Sequence, residues 1–150
     1  MYLLFVVNDA LALKPDQTTT MLVRAAARGG RPVFLTSVDA LTLSASGRIE
    51  ALARRVPRSA STPRLVGDIA ATSPETVGVE DFDVVMIRTN PGRDERPWAH
   101  ISALTLLRRA RDAGVKVFSD PEGLTRASSK LYLAEFPQSL QLSGNVRLAA

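Results

Sequence analysis

An abrupt change from apolar to polar side chains in the middle of the chain indicates a binding site. The apolar run Val84–Ile87 is short, β-branched and unbroken, which is typical of a strand buried on both faces of a parallel sheet, and Arg88 follows it directly. An arginine at the end of such a strand can bind a carboxylate or a phosphate through two parallel hydrogen bonds. An ion pair with Asp94 or Asp9 explains the same residue equally well, so both interpretations stand.

Further polar residues follow the other predicted strands, or begin the helices behind them. In open α/β sheets ligands bind outside the carboxyl ends of the strands, so we expect these residues to converge at one edge of the sheet. A helix that begins near Thr18 would also present its N–H groups and positive dipole end to an anionic ligand. Ordinary turn and capping chemistry explains each residue taken singly, whereas their convergence favours a site. The candidates for a substrate-binding side are Asp9, Asp16, Thr18, Arg88 and Asn90.

The composition excludes several kinds of chemistry. Cysteine is absent, which excludes a disulfide scaffold, thiol catalysis and a cysteine-ligated metal, and a single histidine, His100, argues against a histidine metal site or relay. We therefore assign no catalytic residue and no metal ligand. His100 lies early in a predicted amphipathic helix, which favours a packing or surface role, and Trp98 beside it is predicted to anchor a core or an interface. Neither G-x-G-x-x-G nor G-x-x-x-x-G-K-[ST] occurs.

The net charge of +4 is carried mostly by arginines that are spread along the chain, with few aromatic residues among them. Nucleic-acid binding needs a concentrated basic patch and stacking platforms, so we expect no nucleic-acid partner. The apolar run Tyr2–Val7 is too short for a signal-peptide core or a membrane span, which predicts a cytoplasmic protein without a membrane partner.

Strands that alternate with helices predict one α/β domain with a doubly wound, mainly parallel sheet. The first helix should run from about residue 18 to 28, with Met21, Leu22, Ala25 and Ala26 on its apolar face. A later helix begins at Pro97 and carries a stripe of apolar residues from Trp98 to Ala110. A last helix is predicted over Leu124–Phe136. The further strands are Pro32–Leu35 and Val115–Phe118.

Two segments interrupt this alternation. Ala40–Ala45 and Arg48–Arg54 flank a Ser-Gly pair, which predicts a small β-hairpin excursion. Residues 55–80 are rich in Pro, Ser, Thr and Ala and show no sustained period, so we interpret them as a variable surface excursion with partial disorder.

Taken together, several segments resemble prokaryotic glutathione synthetase and the related ribosomal-S6-modifying ligases of the ATP-grasp type. The resemblance covers roughly Met1–Pro137 and rests on the order and spacing of its motifs. They are Asn8-Asp9 after the first strand, Asp16–Thr20, the hairpin that begins at Leu41, the run Phe82–Pro91, and Asp120–Tyr132.

The resemblance implies a Rossmann-like pre-ATP-grasp domain over 1–137, followed by a divergent tail, 138–150. Enzymes of this family join a carboxylate to an amine with ATP and Mg²⁺ through an acyl phosphate. It implies that Lys130, which composition alone would place at the surface, contacts ATP from the rim of the nucleotide cleft. The strand-end residues would face an amino-acid or small-peptide substrate.

The sequence also departs from the family pattern. The family usually has Arg-Lys-Asp-Pro-Pro after the third strand, where this chain has Arg88 followed by the neutral Thr89-Asn90 and then Pro91-Gly92, which should alter substrate preference. Ser128-Ser129 replaces Asn-Glu before the lysine. The glycine-rich ATP lid, the arginine that stabilises the acyl phosphate and the acidic magnesium ligands of the ATP-grasp domain do not occur in these 150 residues.

The resemblance therefore leads us to expect the substrate-side domain of a carboxylate–amine ligase that neither turns over nor binds ATP or Mg²⁺ tightly by itself. It would need an ATP-grasp domain supplied in trans, or it would form a homodimer. The alternative is a stand-alone, non-catalytic binding or interaction module derived from such a ligase.

Overall fold

The computed structural model describes residues 1–137, without the side chains of Lys130 and Leu133. The predicted tail, 138–150, lies outside the described residues. One sheet is formed by six strands, β1 (Leu3–Val7), β2 (Val33–Leu43), β3 (Ile49–Arg55), β4 (Pro74–Gly78), β5 (Val84–Ile87) and β6 (Lys116–Phe118). The α-helices are α1 (Thr18–Arg28), α2 (Thr62–Ala71), α3 (Pro97–Asp112) and α4 (Pro121–Ala127). Short 3₁₀ helices span Val79–Asp81, Pro91–Arg93 and Lys130–Glu135.

The strands follow the order β4-β3-β2-β1-β5-β6. β2, β1, β5 and β6 are parallel, whereas β3 and β4 add to the sheet in antiparallel pairs. Helices cover both faces, so the predicted α/β class with a mainly parallel sheet is confirmed, and the antiparallel pairs make the six-stranded sheet mixed. None of the helices within residues 1–137 combines the length and the hydrophobicity needed to cross a membrane.

β1 lies in the interior of the sheet, between β2 and β5, and its side chains are buried on both faces. Phe5 and Val7 pack with apolar residues of α1 and α2 on one face. Leu4 and Val6 are fully buried in the second cluster, which contains the buried face of α3. An unbroken apolar run is what such a strand requires, which is why the sequence predicted it.

The predicted hairpin is present, but it is continuous with the second strand. β2 lies between two strands and pairs with both, in parallel with β1 over residues 33–37 and antiparallel with β3 over residues 34–36 and again over 41–43. The β2–β3 register shifts between Thr36 and Leu41, because β3 advances over the same stretch only from Ala53 to Ala51. The extra residues of β2, which include Asp39, therefore leave the ladder just beyond the end of the pairing with β1.

The interpretation of residues 55–80 as an irregular surface excursion was wrong in its secondary structure. Ser61 caps α2 by accepting a hydrogen bond from the Arg64 N–H at 3.4 Å. Leu65 and Ile69, one helical turn apart, are 0% and 1% exposed and belong to the core. The helix needs only these two buried residues to attach to the sheet, which is too short a pattern to stand out among Pro, Ser and Thr.

The predicted apolar faces of two helices were wrong near the helix starts, whereas Leu107 and Ala110 of α3 are buried as predicted. In α1 the buried residues are Thr20, Val23 and Ala27, whereas Met21 and Leu22 are 52% and 40% exposed. In α3 small residues and a histidine face the sheet, and the large apolar groups near its start point outward. The residues buried in α3 are Ala99, His100, Ala103, Leu107 and Ala110.

Trp98 and Ile101 are 62% and 67% exposed, so Trp98 does not anchor the core. Alanines allow the axis of α3 to approach the sheet closely, and this close approach decides which face is buried.

The C-terminal helix begins and ends earlier than predicted. Asp120 caps α4 by accepting a hydrogen bond from the Gly123 N–H at 2.7 Å, and Pro121 takes the first helical position. The helix ends at Ala127 and a separate 3₁₀ helix follows, instead of one helix over Leu124–Phe136.

We predict that Leu65→Ala lowers the free energy of unfolding by about 2–5 kcal/mol, because it leaves a cavity in the core under α2. Urea denaturation of the chain measures this effect. Leu52→Ala is the matched control, since the Leu52 side chain on β3 is 50% exposed. Equal effects of the two substitutions would contradict the structural role of α2.

Candidate functional site

A cleft of about 1210 Å³ opens at the carboxyl ends of β1 and β5. The chain passes from β1 to β2 on one side and later returns to β5 on the other, so the strand order reverses between β1 and β5. In doubly wound sheets the helices on either side of such a point diverge and leave a crevice for ligands. The cleft lies where the topology predicts a binding site.

All five residues that the sequence predicted for the substrate side line this cleft. They are Asp9, Asp16, Thr18, Arg88 and Asn90. Their convergence follows from the common edge of the parallel strands, and their contact with a substrate stays a prediction. Of the two polar residues that follow β6, Ser119 also lines the cleft, whereas Asp120 caps α4 and pairs with Arg111.

Arg88 is exposed, and its guanidinium has no hydrogen-bond or ion-pair partner among residues 1–137. Its backbone N–H donates to the carbonyl of Val6 at 2.8 Å, which fixes the start of the side chain at the end of β5. The two carboxylates that sequence reasoning offered as partners are engaged elsewhere. Asp94 binds Arg96, and Asp9 accepts from the Leu11 N–H at 2.8 Å. The structure thus leaves the Arg88 guanidinium available to a ligand.

Arg96 fixes the opposite wall of the cleft. Its Nε and Nη2 atoms donate to the two carboxylate oxygens of Asp94 at 2.9 and 3.0 Å. Its Nη1 donates to Asp39 at 2.6 Å, and Nη2 also donates to the backbone carbonyl of Asn8 at 2.9 Å. The guanidinium therefore joins the loop after β5 to the ends of β1 and of the parallel part of β2.

The Asp94 side chain is 6% exposed, and hydrogen bonds satisfy both of its oxygens. The bonds from Arg96 hold the pKa of Asp94 far below its ordinary value, and the hydrogen bond with His100 lowers it further, while burial opposes both. The same bonds to Asp94 raise the pKa of Arg96. Both groups are charged under all ordinary conditions, and their pairing is structural.

A second connection holds the loop at its start. The Asn8 side chain donates through Nδ2 to the carbonyl of Asn90 at 2.8 Å and accepts through Oδ1 from the Asn90 N–H at 2.6 Å. This reciprocal pair fixes the backbone of Asn90. The Asn90 side chain makes no hydrogen bond with any residue that the structure describes, so its amide remains available.

Sequence reasoning missed the importance of Arg96, His100 and Asp39. His100 is 4% exposed and its Nε2 lies 3.0 Å from Asp94 Oδ2, so the predicted packing role includes a polar contact. The close spacing of Asp94 and Arg96 in the sequence is a signal that could have predicted their ion pair. Asp39 is 57 residues from Arg96 and lies where the β2–β3 register shifts, a feature for which the sequence offers no signal.

The N-terminus of α1 forms another part of the cleft wall. No side chain caps this helix, and Thr18 and Thr19 line the cleft. Thr20 instead turns inward, where its hydroxyl donates to the carbonyl of Lys14 at 2.7 Å. The first N–H groups of the helix and its dipole favour a negatively charged group in the cleft.

The described residues contain no group of three or more histidine, cysteine or acidic residues that could hold a metal ion. The side chain of Lys130, the predicted ATP contact, lies outside the described part of the structure, which gives only its backbone position at the start of the last 3₁₀ helix. The predicted nucleotide contact therefore stays a prediction.

Comparisons with known proteins point to one family. Residues 1–125 match the family model described as "Prokaryotic glutathione synthetase, N-terminal domain". Glutathione synthetase of Ralstonia nicotianae is 29% identical over 143 residues, which cover 91% of this chain and 40% of the relative. The same enzyme of Parasynechococcus marenigrum is 31% identical over 134 residues, which cover 89% and 40%. The chain thus spans about two-fifths of the length of these curated relatives.

We predict that Asp94→Asn destabilises the fold at pH 7 and that its difference from wild type shrinks as the pH falls below about 4. The pKa of Asp94 is lower in the folded chain than in the unfolded chain. Its stabilising contribution is therefore complete above the unfolded pKa, and it is lost as the pH falls toward the folded pKa. Urea midpoints measured from about pH 7 to about pH 2 test this.

Asp16→Asn is the control for that experiment, because it removes the same charge from the same cleft. The Asp16 carboxylate makes no hydrogen bond within the described ranges, so its loss should leave the midpoint at pH 7 close to that of wild type. A difference between Asp94→Asn and wild type that stays constant down to low pH would contradict the assigned role of Asp94.

Proposed function

Because the chain belongs to the prokaryotic glutathione synthetase N-terminal domain family, we propose that it forms the substrate-binding side of an ATP-dependent carboxylate–amine ligase. One observation carries this proposal beyond the family assignment. The cleft at the switch point of the sheet contains an arginine, Arg88, whose guanidinium has no partner among the residues that the structure describes. Such a group is suited to a carboxylate of an amino acid or a small peptide.

In the proposed complex, the Arg88 guanidinium and the N-terminus of α1 bind a substrate carboxylate. Asp9 and Asp16 lie in the same cleft and supply carboxylates for the ammonium group of the substrate. The side-chain amide of Asn90 adds a donor and an acceptor. Arg96 and Asn8 do not contact the substrate in this scheme. They hold the loop that carries Asn90, so that the cleft is formed before the substrate arrives, which reduces the entropy lost on binding.

In the complete ligase we propose that ATP and Mg²⁺ supply the phosphoryl group that activates the substrate carboxylate. The acidic residues described here do not form a set of magnesium ligands, and no glycine-rich phosphate loop is present in the sequence. We therefore assign this chain only to binding and orienting the substrate. Lys130 is retained as the proposed contact to ATP, and its role rests on the family resemblance alone.

The proposal requires the catalytic core to come from an ATP-grasp domain, within the same polypeptide or in trans, and a homodimer is a further arrangement compatible with it. It includes a cytoplasmic location for the ligase. These parts of the proposal follow from the family assignment.

We predict that the chain binds γ-glutamylcysteine and that Arg88→Ala weakens this binding by about tenfold or more, the loss that follows from removing a charge-assisted hydrogen bond. Arg88→Lys should recover only part of the affinity, since an ammonium cannot form the bidentate contact. Isothermal titration measures all three affinities. Arg28→Ala, at the far end of α1, removes the same charge outside the cleft and should bind like wild type.

Unchanged affinity of Arg88→Ala would show that Arg88 does not bind the substrate. Failure of the wild-type chain to bind the dipeptide would contradict the assignment of this cleft as a site for γ-glutamylcysteine.

We also predict that Mg-ATP shows no saturable binding to this chain in isothermal titration. The physical reason is that Mg-ATP needs carboxylates for its metal and a loop for its phosphates, whereas the described residues contain no metal-binding cluster and the sequence has no glycine-rich phosphate loop. Tight binding of Mg-ATP would contradict the separation of the nucleotide site from this domain and would favour a self-sufficient enzyme.

A further inference from the structure

A second space, here called the α3–α4 groove, lies beside the cleft. It has a volume of about 590 Å³ between α3 and α4, and apolar side chains form much of its wall, including Ile101, Leu104, Pro121 and Leu124. Ile101 is 67% exposed at this surface. Concave sites of this size and character bind apolar parts of small ligands.

The cleft and the groove adjoin. Thr89, Pro91 and Leu124 line both spaces. Thr89 immediately follows Arg88 in the chain, so the junction begins one residue after the proposed carboxylate-binding group. Its side chain is short and uncharged. A ligand that extends from Arg88 along Thr89 passes from the cleft to the groove, because Thr89 borders both spaces.

Most polar groups of the groove are uncharged hydroxyls, and those of Thr105, Thr125 and Ser128 already donate to backbone carbonyls, so the groove does not favour an ammonium group of a ligand. Among the described residues that line it, Arg108 is the only one with a fixed charge, and no carboxylate faces it. His100 contributes from α3, where its Nε2 is already engaged by Asp94. The cleft, by contrast, contains several carboxylates and arginines. The two spaces thus divide into a charged compartment and an apolar compartment.

We propose that the α3–α4 groove is the subsite for an apolar side chain of the substrate and that Thr89 determines its access. The substrate class is a small peptide whose charged groups occupy the cleft and whose next residue carries an apolar side chain larger than that of cysteine. The inference rests on the proposed function, because the cleft must hold the charged part of the same peptide. It adds a specificity that neither the family match nor the cleft alone provides.

The test compares γ-glutamyl-leucine with γ-glutamylcysteine by isothermal titration of the full chain. The ratio of the two dissociation constants is the readout, and we expect γ-glutamyl-leucine to bind about tenfold more tightly, the discrimination that an added apolar group gives in a matching pocket. Thr89→Lys places a long charged side chain at the junction and should bring the ratio close to one. Ile101→Ala, which truncates an exposed residue of the groove, should lower the ratio without unfolding the chain.

Trp98→Ala is the matched control, because Trp98 is an exposed apolar residue of the same helix that does not line the groove, and it should leave the ratio unchanged. Equal affinities of the two peptides for wild type, or a ratio that Thr89→Lys leaves intact, would overturn the subsite. Failure of both peptides to bind would overturn the proposed function and the subsite with it. Arg88→Ala distinguishes a failure of the proposed function from a failure of the subsite, because it should weaken the binding of both peptides alike and preserve the ratio of their dissociation constants.

Discussion

The Arg96 guanidinium donates hydrogen bonds to four oxygen atoms, which belong to Asp94, Asp39 and the backbone of Asn8. A guanidinium in this position is only partly hydrated, so it is stable only where fixed acceptors replace the lost water. Each acceptor comes from a different segment of the chain, and satisfying all of them requires these segments to meet. The loop after β5 is thereby fixed against the ends of the neighbouring strands, and the width of the cleft follows from that.

The hydrogen bonds of Arg96 also explain why the Arg88 guanidinium is free. Both carboxylate oxygens of Asp94 accept from Arg96, and His100 contacts one of them as well. Arg88, which sequence reasoning paired with Asp94 or Asp9 as one alternative, is consequently left without a partner in the part of the chain that the structure describes. Because the buried Asp94 carboxylate pairs with Arg96, Arg96 is a structural cation, whereas the Arg88 guanidinium is available to ligands.

The sequence predicts the strands and the edge where the site lies, but not which helix faces are buried. β1 and β5 were predictable because strands buried on both faces need unbroken apolar runs, and the strand ends then place Asp9 and Arg88 together. The buried face of α3 was not predictable, because the small residues Ala99 and Ala103 face the sheet while the larger Ile101 is exposed. Asp39 could not be assigned to the site either, since it lies in a register shift of the β2–β3 ladder that the apolar pattern does not indicate.

The neutral pair Thr89-Asn90 has a structural consequence in this setting. The backbone of Asn90 is held by Asn8, so the start of this loop is fixed without a charge on either residue of the pair. Thr89 lines both the cleft and the α3–α4 groove, whereas Asn90 lines the cleft and not the groove, so a long charged side chain in place of Thr89 would occupy the junction. The uncharged Thr89 therefore lies between a charged compartment and an apolar one, and a substrate that uses both must itself have a charged part and an apolar part.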